Sequence, residues 1–116
     1  MQYALLIYEN EDSYRGGNGL APDEIIAAHG ALAEDLAAKG ILKGGSGLKT
    51  VDTATTLRKA GDQYALHDGP YAEAREQLGG FYLIEVPDLD AALAIAKRIP
   101  LCGDGSIEVR PAIEDC

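Results

Sequence analysis

The chain has 116 residues, the size of one domain, so we expect residues 1–116 to form a single domain. Ten lysines and arginines face nineteen aspartates and glutamates, which gives a formal net charge of −9 at pH 7. This balance argues against nucleic-acid binding and against docking on an anionic membrane, because both need clustered positive charge. Hydrophobic residues make up 47% of the chain, too many for a disordered protein.

The early apolar run is too short to cross a membrane and lacks the basic start of a signal peptide. The two cysteines, Cys102 and Cys116, are too few for a disulfide framework, and no paired spacing suggests a metal site. We therefore expect a cytoplasmic protein without a metal or other cofactor.

The first predicted elements are a strand, a helix and a second extended segment. Residues Gln2–Tyr8 carry apolar side chains at alternating positions on both sides, which predicts a strand with two apolar faces. A helix is predicted to begin at Pro22 and to end at Gly40. Ile41–Leu48 then continues as an extended segment. The apolar face of the helix is defined by residues at helical spacing: Ile25, His29, Leu32 and Leu36.

The middle of the chain predicts a β-hairpin. Thr53–Lys59 and Gln63–His67 are its two arms, with a turn at residues 60–62 between them. A second turn follows at Asp68-Gly69-Pro70, and the polar stretch Tyr71–Leu78 is either one helical turn or an ordered loop.

The last third predicts a strand, a helix and a strand. Phe81–Val86 is a strand with two apolar faces, and Ser106–Val109 is the closing strand. The helix between them begins after Asp88, its predicted N-cap, and stops before Pro100. Its predicted buried stripe consists of Leu89, Ala92, Leu93, Ala96 and Ile99.

Without the hairpin, the order of elements is βαββαβ, which is the ferredoxin-like α+β fold. Two helices can cover only one face of its sheet, whereas residues 2–8 and 81–86 offer apolar side chains to both faces. An uncovered apolar face of this size marks an interaction surface. We therefore predict a homodimer in which two sheets pack face to face.

A block of residues in the second half resembles a known family. Asp68-Gly69-Pro70-Tyr71-Ala72-Glu73, followed by residues 76–82 (Glu-Gln-Leu-Gly-Gly-Phe-Tyr), looks like the signature of the DGPF-domain proteins, which belong to the YCII-related family. Tyr71 stands where the motif has phenylalanine. The resemblance extends to residues 39–45, 86–100 and 106–111, and so covers most of the chain.

The resemblance implies a ferredoxin-like chain that dimerises as an α+β barrel, and most members of the family are uncharacterised. It also implies an acid–base site made of a histidine and an aspartate in a cleft. In this chain the corresponding candidates are His29 on the first helix and Asp68 in the second turn. Genes for DGPF-type proteins tend to lie beside genes for sigma factors, which suggests a role in stress or regulation.

Each of these two residues has a structural alternative. His29 could be a half-buried histidine whose ring is hydrogen-bonded to a backbone carbonyl. Asp68 could serve only to cap backbone amides in its turn. The other histidine, His67, alternates with Tyr64 and Leu66 and is predicted to lie on the surface.

Three further residues are candidates for substrate binding. Tyr8 and Tyr82 could donate hydrogen bonds to an oxyanion, although strand tyrosines more often pack with a solvated hydroxyl. Arg110 could hold a substrate carboxylate with two hydrogen bonds, or it could be an ordinary surface arginine.

These residues favour a cofactor-independent acid–base enzyme of the lyase or isomerase type, acting on a small organic molecule through His29 and Asp68. The alternative is a metabolite-binding or regulatory module without turnover, linked to sigma-factor or stress signalling. The two hypotheses differ in whether His29 is coupled to a carboxylate inside a cleft.

Overall fold

The computed structural model describes residues 1–13 and 23–114. Four antiparallel strands form one sheet in the order β2-β5-β1-β6, and two strands form a separate hairpin, β3-β4. The predicted ferredoxin-like α+β order, with a hairpin inserted, is therefore confirmed. The elements are β1 (Gln2–Glu9), α1 (Asp23–Ala38), β2 (Leu42–Gly47), β3 (Thr55–Ala60), β4 (Gln63–Asp68), β5 (Gln77–Glu85), α2 (Leu89–Ala96) and β6 (Gly105–Pro111).

The core lies between the helices and one face of the four-stranded sheet. Every second residue of β1 is buried there, and Leu5 is fully inaccessible. Ile84 of β5 and Leu36 of α1 are buried equally completely. The buried cluster comprises Tyr3, Leu5, Ile7, Leu32, Leu36, Tyr82, Ile84, Val86, Ala92, Ile95, Ala96 and Ile99.

No helix among residues 1–13 and 23–114 covers the opposite face of the sheet. Strand alternation directs the other residues of the two central strands to this side, where they are only partly buried. The partly exposed apolar residues of this open face are Ala4, Leu6, Tyr8, Phe81 and Leu83.

The helix ends agree with the local signals in the sequence. Gly40 has a φ of 72°, and the amides of Gly40 and Ile41 donate to the carbonyls of Ala37 and Leu36. This is the Schellman arrangement, which needs a left-handed residue and ends α1 where predicted. At α2, the Asp88 side chain accepts a hydrogen bond of 2.9 Å from the Ala91 amide, as expected for an N-cap. The predicted helix start at Pro22 lies outside the described residues.

Two details of the second half differ from the sequence prediction. The stripe predicted for α2 was wrong at two positions, since Leu89 and Leu93 are 49% and 40% exposed while Ile95 is buried. The positions that face the sheet are 92, 95, 96 and 99, which is the i, i+3, i+4, i+7 spacing of one helix face. In addition, β5 begins at Gln77 and takes in the end of the stretch for which a loop or helical turn was predicted.

The β3-β4 hairpin is exposed along almost its whole length. Leu57 pairs with Leu66 across its two strands, and these side chains are 59% and 75% exposed. His67 is exposed as predicted. Among the described residues, neither helix combines the length and the apolar character needed to cross a lipid bilayer.

The contrast between Leu36 and Leu66 gives a first test of this architecture. Leu36→Ala should lower the free energy of unfolding by about 2–5 kcal/mol, because it removes a fully buried side chain and leaves a cavity. Leu66→Ala should change it by no more than about 0.5 kcal/mol, because that leucine is exposed. Urea denaturation followed by circular dichroism measures both values. An equally large loss for Leu66→Ala would mean that the hairpin is covered in solution.

Candidate functional site

A cavity of about 530 Å³ lies between the first half of α1 and the sheet. Its walls are mostly apolar or formed by backbone, and a size of this order suits a small organic ligand. The lining residues of polar or charged character are Glu9, His29, Ser46, Lys49 and Tyr82. The remaining lining residues are Ile7, Ile25, Ile26, Gly30, Ala33, Leu42, Gly44, Gly45, Gly47, Leu48, Gly79 and Gly80.

His29 and Tyr82 meet in this cavity. The Nδ1 atom of His29 lies 2.7 Å from the Tyr82 hydroxyl oxygen, and the ring centroids are 5.9 Å apart with the planes tilted by 56°. Helical spacing places His29 on the side of α1 that faces the sheet. Alternation along β5 places Tyr82 on the face beneath the helices. The first half of α1 thus places the His29 imidazole in contact with the Tyr82 phenol.

Three influences act on the protonation of His29. Partial burial lowers the pKa of His29 below the usual histidine value and is the largest influence. The Glu9 carboxylate and a hydrogen bond to the Pro100 carbonyl act in the opposite direction, because both favour the imidazolium form. Since burial prevails, the ring is neutral at neutral pH and can accept a proton.

Tyr82 complements this neutral imidazole. Burial raises the pKa of Tyr82 above the ordinary tyrosine value, so its hydroxyl keeps its hydrogen at neutral pH. A protonated phenol can donate to a neutral ring nitrogen at 2.7 Å. We assign the tautomer of His29 in which Nδ1 of the neutral ring accepts from the Tyr82 hydroxyl.

Glu9 is the carboxylate that the structure brings to this histidine. It is the last residue of β1, is only 8% exposed, and its Oε2 accepts a hydrogen bond of 2.8 Å from the Cys102 amide. Burial and the Glu9 charge raise the pKa of the Cys102 thiol, which therefore stays protonated. The Cys102 amide fixes the Glu9 carboxylate at one end of the covered sheet face.

The residues predicted for the site fall into three places. His29 and Tyr82 share the cavity, but Tyr8 and Arg110 lie on the opposite, open face of the sheet. Strand alternation explains this separation, because Tyr8 and the buried Glu9 are neighbours in β1 and must point to opposite sides.

Asp68 lies in a third place, on the exposed β3-β4 hairpin. It ends β4 of the exposed hairpin, opposite Thr55, and it neither lines the cavity nor belongs to the groups that act on His29. Within one chain the structure therefore does not bring the predicted His29–Asp68 pair together. The turn is held by hydrogen bonds of the Gly69 backbone. Its amide donates to the Ala54 carbonyl, and its carbonyl accepts from the Thr56 hydroxyl.

Sequence reasoning did not find Glu9 or Lys49. Glu9 continues the buried alternation of Tyr3, Leu5 and Ile7, and this pattern could have identified it as an acidic residue on the covered face. Lys49 carries no such signal, because it follows β2 in a loop. Across residues 1–13 and 23–114, no group of three histidine, cysteine or acidic side chains has the arrangement of a metal site.

Two comparisons with known proteins identify the family of this chain. A family model described as the YCII-related domain matches residues 1–114. The chain is also 34% identical over 113 residues to the uncharacterized protein R00369 of Rhizobium meliloti (strain 1021), and the match covers 96% of this chain and 91% of that protein. On these grounds the chain belongs to the YCII-related family.

Proposed function

We propose that this protein moves a proton to or from a small, largely apolar organic molecule bound in the cavity between α1 and the sheet. The observation that carries the proposal is the 2.7 Å contact between His29 Nδ1 and the Tyr82 hydroxyl inside that cavity. A neutral imidazole hydrogen-bonded to a phenol in apolar surroundings is a suitable general base. The reaction class is an elimination or an isomerisation that begins with proton abstraction.

The proton passes through Tyr82 in this mechanism. The Tyr82 oxygen takes a proton from the substrate while its own hydrogen moves to His29 Nδ1, so the phenol ends neutral and the imidazole ends charged. The Glu9 carboxylate and the Pro100 carbonyl both favour the imidazolium, and they stabilise the state in which His29 holds the proton. The return of the proton to another atom of the substrate, or to a leaving group, completes the cycle.

Glu9 takes the role that the sequence suggested for Asp68. Its charge acts on His29, and the Cys102 amide holds it in place, whereas Asp68 is exposed on the hairpin. A carboxylate beside a histidine base need not accept the proton itself, because its charge alone favours the protonated ring. We assign Glu9 to this electrostatic role.

We further propose that two copies of the chain associate through the open face of the sheet. The partly exposed Leu6, Phe81 and Leu83 form an apolar centre on this face, with Glu108 and Arg110 of β6 beside it. A two-fold contact brings each surface against its own copy, so an acidic and a basic residue on one strand can pair across the axis. Tyr8 and Arg110 would then serve association rather than substrate binding.

The assignment of Glu9 predicts how the pKa of His29 responds to two substitutions. Glu9→Gln should lower the pKa of His29 further, because it removes a negative charge that favours the imidazolium. Asp68→Asn is the matched control and should leave that pKa unchanged. An NMR pH titration of the imidazole signals measures both effects. A shift with Asp68→Asn and none with Glu9→Gln would restore the histidine–aspartate pair.

The proton-transfer proposal predicts base catalysis on a neutral probe. 5-Nitrobenzisoxazole opens by elimination when a base removes its ring hydrogen, and the product is followed by absorbance. The rate should rise with pH through the lowered pKa of His29 and then level off, because only the neutral imidazole accepts a proton. His29→Gln and Tyr82→Phe should each reduce the rate by about 100-fold or more.

His67→Gln is the control in this assay, since His67 is exposed on the hairpin. Equal rates in the wild-type protein, His29→Gln and Tyr82→Phe, with all three folded, would reject general-base catalysis. Binding of the probe without elimination would instead support a binding module without turnover.

The proposed association predicts a dimer that a single charge can disrupt. Leu6→Arg should convert a dimer into a folded monomer, because it places a cation in the apolar centre of the open face while Leu6 is only partly buried within one chain. Leu66→Arg on the exposed hairpin should leave the dimer intact. Sedimentation velocity measures the mass. A monomeric wild-type protein, or dissociation only in Leu66→Arg, would contradict the proposal.

A further inference from the structure

Two charged residues line the cavity, and they carry opposite charges and differ in burial. Glu9 is 8% exposed at the end of β1, whereas Lys49 is exposed in the loop after β2. Strand β5 runs between β1 and β2, so the two backbones are separated by roughly two strand spacings, about 10 Å. The Leu48 amide donates to the Gly79 carbonyl at 2.9 Å and holds the start of this loop against β5. The cavity thus has an acidic inner end and a basic rim.

Lys49 has no competing partner within the described part of the chain. No ion pair or side-chain hydrogen bond among residues 1–13 and 23–114 involves its ammonium group, whereas Lys39 pairs with Asp35 at 3.1 Å. A cation that lines an apolar cavity in a chain of net charge −9 is a local exception to the overall charge. Its field favours anions at this rim.

The inner end repels a negative charge. Glu9 is held there by the Cys102 amide, and its charge acts on His29. An anionic group would be unfavourable beside this carboxylate and favourable beside Lys49. The polarity of the cavity therefore orients a ligand that has one charged end and one apolar end.

Space for the apolar end is available along α1. Gly30 follows His29 in the helix and lines the cavity, and a Cβ built at Gly30 would have no atom within 4 Å. Glycine in a helix interior is less favourable than alanine, and here it leaves the cavity wall open. Ile25, Ile26 and Ala33 surround this position with apolar side chains.

We propose that the ligand of this cavity is a small organic monoanion, a carboxylate with an apolar body, whose charged group binds Lys49 and whose apolar body extends along α1 toward His29 and Tyr82. This inference rests on the proposed function and specifies its substrate class. The single lysine matches a single negative charge, and the inner carboxylate excludes a second one. Lys49 is a binding residue in this arrangement and takes no part in the proton transfer.

A matched pair of probes separates charge from shape. 2-Naphthoate and 2-naphthamide have the same apolar body, and they differ in the charge of the terminal group. Binding is measured by isothermal titration calorimetry, and shifts of the Gly30 and Ala33 amide signals in NMR spectra locate the probe. We expect naphthoate to bind about three to five times more tightly than naphthamide, the advantage of one partly exposed ion pair, and to lose that advantage at high salt.

Two lysine variants test the assignment. Lys49→Met should reduce the affinity for naphthoate to that for naphthamide and leave naphthamide binding unchanged. Lys43→Met is the control, because Lys43 is an exposed residue of β2 that does not line the cavity. It should leave the preference for naphthoate intact.

The other outcomes distinguish this inference from the function on which it rests. Equal affinity for both probes, or a preference that survives Lys49→Met, would overturn the anionic class and leave the cavity as a binding site. Absence of binding by either probe, together with His29-dependent elimination of 5-nitrobenzisoxazole, would also overturn the anionic class alone. Absence of both binding and elimination would overturn both proposals.

Discussion

The alternation of side chains along β1 and along β5 from Gly80 onward is the constraint on which the rest of this structure depends. In the described part of the chain α1 and α2 cover one face of the sheet, so every second residue of these segments faces the core and the others remain on the open face. The same rule places Glu9 and Tyr82 beneath the helices. A shift of β1 by one residue would turn Glu9 to the open face, a shift of β5 would do the same to Tyr82, and either shift would expose core residues of that strand.

The cavity lies where the covered face changes from apolar to polar side chains. Leu5 and Ile84 are fully buried, whereas Tyr82, which pairs with Leu5, and Glu9, the last residue of β1, carry polar groups that need partners. The Cys102 amide and His29 supply those partners. The hydrogen bonds that make burial of these groups tolerable are therefore the same contacts that shape the candidate site.

The protonation of His29 reflects a competition between two effects of the same surroundings. Removing the ring from water disfavours its charged form, and the Glu9 charge and the Pro100 carbonyl favour it. Desolvation is the larger effect, so the resting ring is neutral, but the two opposing groups remain beside it. A base arranged in this way starts in the form that accepts a proton and gains stabilising contacts once it has done so.

Much of the fold could be predicted from sequence because its signals are local. Gly40 ends a helix and Asp88 begins one through hydrogen bonds that span no more than five positions. The strands follow from alternation, which also operates over a few residues. The stripe of α2 was less certain because three leucine and isoleucine side chains surround an eight-residue helix, and only packing against the sheet selects Ile95 over Leu89 and Leu93.

The candidate site could be predicted only in part because it depends on contacts between distant elements. Helical spacing identified His29, whereas its contact with Tyr82 spans 53 positions. Asp68 was suggested by a motif whose turn lies on the exposed hairpin and is held by hydrogen bonds of the Gly69 backbone. The motif therefore carried no information about the distance between Asp68 and His29. Glu9 follows from alternation once β1 is extended by one residue.

Some of the glycines around the cavity are required by the fold, whereas another is not and affects only the space for a ligand. A Cβ at Gly80 would lie 2.8 Å from the Ser46 carbonyl oxygen, and one at Gly45 would lie 2.6 Å from the Phe81 carbonyl oxygen, so both positions need glycine for β2 and β5 to approach. Gly30 has open space around it, and strand pairing does not constrain it. The floor of the cavity is therefore fixed by the sheet, whereas the helix side can change its volume without disturbing the fold. A substitution at Gly30 can therefore change the size of the ligand that fits in the cavity. It does so without replacing His29 or Tyr82, which are attached to α1 and to β5.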